Sequence, residues 1–511
     1  MSILSDLASG FGIALTWQAL SICFSGVLLG TFVGALPGIG ALAAISLCLP
    51  LTYYMEPVHG LILLSGIFYG AQYGASTSSI LLNIPGTPSA AATCLDGNPM
   101  ARSGRAGQAL FIVTLSSFFG GSVAILILVA FAPPLAKFAL SFGAPEYFAV
   151  MLLGLIAAST ASLGSAVKGL AMVVLGLIFG VVGTDVTSGT YRLALGFVQL
   201  TDGISLVAMA MGLFGIAEVL ASLTRPEVKM PTDSKVFSLR HLLPTREEAV
   251  RAVKPAVRGS LIGSWIGALP GTGPAIAAFL AYAIEKRVSR TPERFGTGAV
   301  EGIAAPEAAN NASVQAAFIP TLCIGIPGDA VMAFMLGAMI LHGVVPGPQL
   351  IHEQPDLFWG LVASFWVGNI LLVVLTLPLI GVWVKVLAIP RQILYPTIIF
   401  LICVGVYSVN SSVFDVFIAI VFGLLGYMMS VLKYPAAPVL LGYILGPLVE
   451  ENFRRALFIS NGDFTTFVSS PVSAGFLLMS VLALVVPPIL NIRRKRLLND
   501  RQLNVSPLES D

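Results

Sequence analysis

One phrase occurs twice in this chain, and a phrase of its kind can fold in few ways. Residues 30–44 read GTFVGALPGIGALAA and residues 263–277 read GSWIGALPGTGPAIA, identical at 8 of 15 positions with an offset of 263 − 30 = 233. A second pair follows, Ile-Pro-Gly at 84–86 and at 326–328 with an offset of 242, so each half carries LPGxG and then IPG. Pro removes a backbone donor and Gly loosens a helix, so helices should break at both phrases. In lipid, such breaks survive only where they are buried in protein or line a cavity. Paired breaks in the two halves of a membrane protein are the best sequence pointer to a binding site.

Lipid is the expected surrounding, because 56% of the 511 residues are hydrophobic and 10% charged, against roughly 25% charged in a soluble chain. A net charge of +2 gives no footing for nucleic acid, and the basic residues read as a topology code instead. The first fifteen residues hold Asp6 and no Lys or Arg, which argues against a cleaved signal peptide. Cys23, Cys48, Cys94, Cys323 and Cys403 all lie in apolar stretches without a CxxC or His-rich cluster, and read as small core residues.

Apolar runs at 108–135, 146–160, 166–183, 204–222, 358–380, 393–410, 413–432 and 466–490 read as plain spans. Segments 16–51, 58–100, 256–285 and 300–342 are interrupted by the repeated phrases, and broken helices or re-entrant hairpins fit them better. Charge at matched loops then orients the halves. Residues 52–60 have no Lys or Arg while their counterpart 285–294 has four; 101–107 has two Arg while 343–356 has none. Opposite bias at matched loops means opposite sidedness. With the N-terminus outside, the cytoplasmic loops are 101–107, 161–168, 223–258, 286–299, 381–392 and 433–435 plus the tail from 491, holding 23 of the 27 Lys and Arg. Lys137, Arg192, Arg454 and Arg455 remain outside.

The expected fold is therefore an all-α polytopic membrane protein, an inverted repeat broken at LPGxG and IPG, with about 10–12 membrane segments. The first repeat is 1–222, a cytoplasmic linker is 223–258, the second repeat is 259–449, an outer loop and extra helix are 450–490, and a basic tail is 491–511. Within the linker, Thr245 and Glu248 form a capping box opening a basic segment. That segment reads either as an interfacial helix or as a solvated connection.

Hydroxyl and amide residues gather near the breaks. Ser76, Thr77, Ser78, Ser79, Asn83 and Thr87, with Gly86, offer oxygens and free backbone in the first half. Asn310, Asn311 and Gly328 do so in the second, beside Glu307 and Asp329. Small polar residues can also simply let helices approach, but paired clusters suit a small cation together with an anionic ligand. Acids at membrane depth are default functional candidates. Asp329 follows IPG directly, where capping a helix and ligating a cation are both open to it. Backbone at Gly38, Gly40, Gly271, Thr272 and Gly273 would complete a cation site. Glu307 is expected at a loop boundary and Asp96 at an Asp-Gly turn, so both rank lower. The four histidines lie near loops without metal-ligand spacing.

The chain contains no GxxxxGK[ST], HExxH or GxSxG sequence, which removes the common ATPase, metalloprotease and esterase chemistries. A channel filter usually recurs round a symmetric oligomer, whereas two inverted copies in one chain let a site face either side.

GALPGIG, YGASTSSILLNIPGTPSAAATCLDGNPMA, GALPGTG and the run EKRVSRTPERFGTGAVEGIAAPEAANNASVQAAFIPTLCIGIPGDAVMAFMLGA resemble the large membrane subunit of the tripartite tricarboxylate transporters, the TctA family. The resemblance implies a bacterial inner-membrane secondary transporter for carboxylates, driven by Na+ or protons and needing no organic cofactor. It also implies a small four-helix TctB-like membrane subunit and a periplasmic TctC-like binding protein. It leaves the particular carboxylate open. With few Lys or Arg at depth, helix N-termini, amides and hydroxyls should hold the substrate's charge, and bound cations the rest. A stand-alone carboxylate carrier, a channel and a membrane enzyme are the other readings.

Overall fold

The computed structural model describes residues 3–36, 40–161, 165–185, 188–224, 243–379, 382–383 and 390–486. Gly38, half of the 223–258 linker (225–242) and the 491–511 tail lie outside the described residues.

Helix α1 (Ile3–Ala14) leads into α2 (Trp17–Ala35), whose start is capped by the Thr16 hydroxyl accepting from the Ala19 amide. α2 stops at the first LPGxG, because a residue before proline is pushed out of helical backbone; Leu36 is extended at φ −76°, ψ 115°. α3 (Gly40–Thr52) resumes just beyond. α4 (Pro57–Leu82) ends ahead of IPG, and α5 (Ala91–Met100) follows it. A π-helical turn at Ala101–Arg105, with Gly104 at φ 81°, bends the chain into α6 (Ala106–Ala139). α7 (Ala144–Ala161), α8 (Ala166–Gly180), the antiparallel two-residue strands β1 (Gly183–Thr184) and β2 (Tyr191–Arg192), and α9 (Leu206–Leu223) complete this half.

The second half repeats the pattern with α10 (Arg246–Gly267), α11 (Gly273–Val288), α12 (Glu301–Ala316), α13 (Phe318–Ile324) and α14 (Ala330–Leu341). Then come α15 (Pro355–Thr376), α16 (Arg391–Asn410), α17 (Val413–Val431), α18 (Ala437–Ile459) and α19 (Pro471–Val486). Among the described residues, six stretches are long and apolar enough to cross a membrane: α2, α5 with α6, α9, α15, α16 and α17. α1, α3, α7, α8, α14 and α19 are shorter apolar helices. The protein is thus all-helical and multi-pass, apart from the β1–β2 pair.

The breaks match in geometry as well as in sequence. Gly40 and Gly273, 233 apart, have φ 67° and 68°. Asn83 and Gly325, 242 apart, have φ 58° and 78° and end α4 and α13. Left-handed backbone favours Gly and tolerates Asn, which is why these residue types stand there.

Behind each break lies a glycine stripe. Gly26, Gly30 and Gly34 of α2 rest on the carbonyls of Leu63, Ile67 and Ala71 in α4. Gly259, Gly263 and Gly267 of α10 rest on those of Ala305, Ala309 and Ser313 in α12. Each glycine is displaced by 233 and each carbonyl by 242, the offsets of the two sequence motifs. Glycine at every fourth position brings two helix backbones together. α4 and α12 are consequently the innermost helices, buried from His59 to Ile80 and from Gly302 to Ala316.

Packing between the halves is exchanged in the same way. α6 lies on α12 and α10, and α15 lies on α4 and α2. α8 packs on α18, and α17 on α9. The expected linker boundary at 258 falls inside α10, which runs unbroken from its Thr245–Glu248 capping box to the second LPGxG. Its arginines turn onto the protein: Arg251 pairs with Glu301 at 2.7 Å and Arg258 with Glu285 at 2.5 Å. Glu248 meets Arg105. The five cysteines are free, with Cys23 and Cys323 buried.

A Cβ on Gly30 or Gly263 would overlap the carbonyl of Ile67 or Ala309, whereas one on Gly12 meets nothing. Gly30→Val and Gly263→Val should therefore each lose about 1–3 kcal/mol or more from overpacking. Thermal unfolding of purified protein in detergent checks this, with Gly12→Val near the parent value.

Candidate functional site

The four interrupted helices meet at one cavity of about 600 Å³, within the roughly 300–1,000 Å³ of small-molecule sites. Its wall includes Gly40 to Ala43 at the start of α3, Pro85 to Ser89 ahead of α5, Gly273 to Ala275 at the start of α11, and Asp329 to Val331 at the start of α14. Both LPGxG phrases and the first IPG are represented, and the second IPG is represented by Asp329, the residue that follows it. Residues from α9 and α17 and from the Tyr434–Ala436 turn close the other side.

This arrangement points helix N-termini at the cavity. The first amides of a helix have no intrahelical acceptor, and each N-terminus carries about half a unit of positive charge. Three of them, at the starts of α3, α11 and α14, supply about one and a half units of positive charge without a basic side chain. Among the described residues the cavity wall contains no Lys, Arg or His, but it does contain Asp329 and Glu218. Asp329 also caps α14, its Oδ1 accepting from the Met332 amide at 2.8 Å. Capping and cavity lining thus coexist in one side chain.

Several candidates hold the breaks in shape. Thr87 lines the cavity and donates to Gln72 Oε1 at 3.1 Å, which also accepts from Ser89 Oγ at 2.8 Å. The Gly271 amide donates to the Gly328 carbonyl at 2.7 Å, tying the second LPGxG to the second IPG. The Thr272 hydroxyl donates to the carbonyls of Ile266 and Leu269, the latter at 2.9 Å, and so closes the end of α10. Gly86 lines the cavity and packs against the Gly34 carbonyl. Of the sequence candidates, Gly40, Gly86, Thr87, Gly273 and Asp329 line the cavity. Gly271, Thr272 and Gly328 stand behind it, and Asn83 is the exposed end of α4.

Ser76, Asn310 and Asn311 gather elsewhere, around Glu307. The expectation of a loop boundary for Glu307 is wrong: it lies inside α12 with no exposed surface. Its Oε1 accepts from Ser76 Oγ at 2.6 Å and from the Thr93 hydroxyl, and its Oε2 from Ser117 Oγ at 3.3 Å. Asn311 donates to Ser117 Oγ at 2.8 Å. Ser78 turns back to the Ala75 carbonyl, and Thr77 is buried in α4. Pro306 lies inside α12 without ending it.

Asp96 is also inside a helix rather than at a turn. It is fully buried, and its Oδ1 accepts from the amides of Gly296, Gly298 and Ala299, each at 2.8 Å. Oδ2 accepts from Tyr282 at 3.0 Å. This carboxylate fastens the loop before α12 to α5. Sequence reasoning missed Gln72 and Ser89; a glutamine in the middle of an apolar run was the available signal. Ser117 and Thr93 gave none, being ordinary small residues in apolar helices. Among the described residues no three His, Cys, Asp or Glu side chains cluster as a metal site.

Apolar helices broken in pairs around an internal cavity define a membrane transport protein. Residues 20–441 match the tripartite tricarboxylate transporter TctA family, and the chain belongs to it as the membrane component of a tricarboxylate transporter. It is 49% identical over 496 residues to an uncharacterized 52.8 kDa protein in the TAR-I ttuC' 3' region of Agrobacterium vitis, covering 97% of this chain and 98% of that one. An uncharacterized protein in the TAR-II ttuC' 3' region of the same organism is 50% identical over 234 residues, which are 46% of this chain and 97% of that protein. No solved structure matches.

Because Asn caps a helix as well as Asp, Asp329→Asn should unfold within a degree or two of the parent, while Asp329→Ala should lose about 1 kcal/mol. Thermal unfolding of the two variants side by side measures the cap alone.

Proposed function

We propose that the chain is the large permease subunit of a binding-protein-dependent secondary transporter that imports di- or tricarboxylates with Na+ or protons. The observation that carries this is the convergence of three helix N-termini on one cavity whose wall, among the described residues, offers acids and no basic side chain. About one and a half units of helix-end charge fall short of a tricarboxylate's three, and Asp329 widens the deficit. Cations must enter with the anion for the occupied site to approach neutrality, and that requirement is the coupling. Thr87, with hydroxyls and free amides at the breaks, would orient the carboxylates. Asp329, with backbone oxygens near Gly40 and Gly273, would take a coupling ion.

The two halves act as an inverted repeat in the bacterial inner membrane, N-terminus periplasmic and C-terminus cytoplasmic. Support comes from contacts that join residues in, or at helix ends beside, loops assigned by charge to the same side. Arg105–Glu248, Arg251–Glu301 and Arg258–Glu285 join the loops assigned to the cytoplasm. So does Lys168, which donates to the Leu432 carbonyl at 2.7 Å and covers Tyr434. On the opposite side, Tyr54 donates to the Ser408 carbonyl at 2.7 Å. Arg192 pairs with Glu450 at 2.9 Å, and Arg454 with Asp185 at 3.2 Å. Two of the four basic residues assigned outside are thereby neutralised. Alternating access then amounts to rocking one half against the other around the breaks. A small membrane subunit and a periplasmic binding protein complete the assembly.

Proteoliposomes holding the membrane subunits should take up di- or tricarboxylate only with the binding protein and a Na+ or proton gradient present. Equal uptake without the binding protein would make it a stand-alone carrier, and current without substrate a channel. In the same assay Asp329→Asn should raise the Na+ or proton concentration for half-maximal uptake more than it changes the substrate requirement. For topology, single cysteines at Ser289 and Ser103 should label only from the cytoplasm, and one at Gln354 only from the periplasm. Labelling of Ser289 and Glu56 replacements from one side would refute the inversion.

A further inference from the structure

A second acid lies away from the cavity wall, in a setting that leaves its charge uncompensated. Glu307 has no exposed surface, and the described residues around it supply hydroxyls and amides but no positive charge. Ser76 comes from α4, Thr93 from α5 and Ser117 from α6, so three helices enclose the carboxylate of a fourth. One residue in this nest is unsatisfied. Asn310 is 1% exposed, lies one turn beyond Glu307 on the same helix face within electrostatic reach of its carboxylate, and has neither amide atom in good hydrogen-bond geometry with a partner. Its neighbour Asn311 is used up on Ser117 and the Glu307 carbonyl. Small polar residues packed for helix contact alone would not leave a buried primary amide without partners beside a buried carboxylate.

We propose that Glu307, Ser76, Thr93, Ser117 and Asn310 form an occluded site for one monovalent cation, carried as Na+ or as a proton. Two carboxylate oxygens, three hydroxyls and the Asn310 amide oxygen are hard donors suited to Na+. If the cation is a proton, the acid's O–H donates to the same amide oxygen. Either way the cation supplies the charge that the fold omits. The site rests on the cation-coupled reading above and adds to it an ion position that does not touch the substrate. Ser76 also reaches the carbonyl of Gln72, the residue that pins Thr87 and Ser89 at the cavity, at 3.5 Å. One turn of α4 therefore links cation occupancy to the shape of the first IPG break.

Other titratable groups stand on the surrounding helices. Tyr73 on α4 and Cys94 on α5 lie within electrostatic reach of Glu307. On the same helices, Tyr69 is bonded to Gln315 and His59 lies in the first turn of α4 beside Glu56. Asp96 is committed to the 296–299 loop, and Glu301 of α12 pairs with Arg251. Lys137 is in the last turn of α6.

The test is cation binding by the purified full-length chain in detergent, read without transport. ²²Na+ binding and thermal unfolding in NaCl against choline chloride are measured from pH 5 to 9, in an Asp329→Asn background that removes the cavity acid at the second IPG break. If the cation is Na+, this background binds ²²Na+ and melts higher in NaCl, and adding Glu307→Gln weakens binding at least tenfold. If it is a proton, NaCl has no effect, and Glu307→Gln removes a step in the pH dependence of unfolding. Asn310→Ala, which breaks no hydrogen bond of the fold, should weaken binding or shift that step while leaving the melting temperature in choline at pH 5 near the background's. It decides the matter if the Glu307 variant does not fold. Unchanged ²²Na+ binding and an unchanged pH profile in the variants overturn the proposal. Coupled uptake by the parent alongside that result would sink the Glu307 site alone, whereas uncoupled uptake by the parent would sink the symport reading itself.

Discussion

Everything in this fold follows from the cost of an unpaired backbone amide in a medium without water. A helix satisfies its own interior, but each interruption exposes amides and carbonyls that lipid cannot accept. Four interruptions would be ruinous if each faced the bilayer. Brought together they face one another and a common cavity, and Gly271 and Gly328 bond directly across two of them. The glycine stripes make this possible, since only helices without side chains at the contact can carry the breaks so close to α4 and α12.

The same economy governs charge. Basic residues are held at helix ends and spent on nearby acids, as with Arg251 and Glu301, Arg258 and Glu285, and Arg192 with Glu450. The interior retains Asp96, Glu307 and Asp329, and each is treated differently. Asp96 is fully used by three amides and a phenol, which makes it a fastening. Asp329 caps a helix with one oxygen and faces the cavity. Glu307 has hydroxyl donors alone, and beside it lies an amide with nothing to bond. A chain that did nothing with ions would have little reason to keep the last two, because an uncompensated buried carboxylate is among the costliest groups a fold can carry.

The sequence by itself determined where the helices break and that the breaks come in matched pairs, because Pro and Gly act on the backbone locally and need no partner. It also determined the membrane setting and the capping box at Thr245, which are properties of composition and of four consecutive residues. The two sequence offsets, 233 and 242, carried the glycine stripes as well, although these became visible only once the partner carbonyls were known. Tertiary structure alone decided that the four breaks share one cavity, that the Ser76 and Asn310 clusters surround Glu307 rather than the cavity, and that Gln72 pins the first break. Glu307 and Asp96 were misplaced from sequence, Asp96 because Asp-Gly reads locally as a turn, while long-range burial and partners from other helices made both positions helical. Which hydroxyl meets which carboxylate depends on contacts between residues some two hundred positions apart, and no local preference encodes that distance.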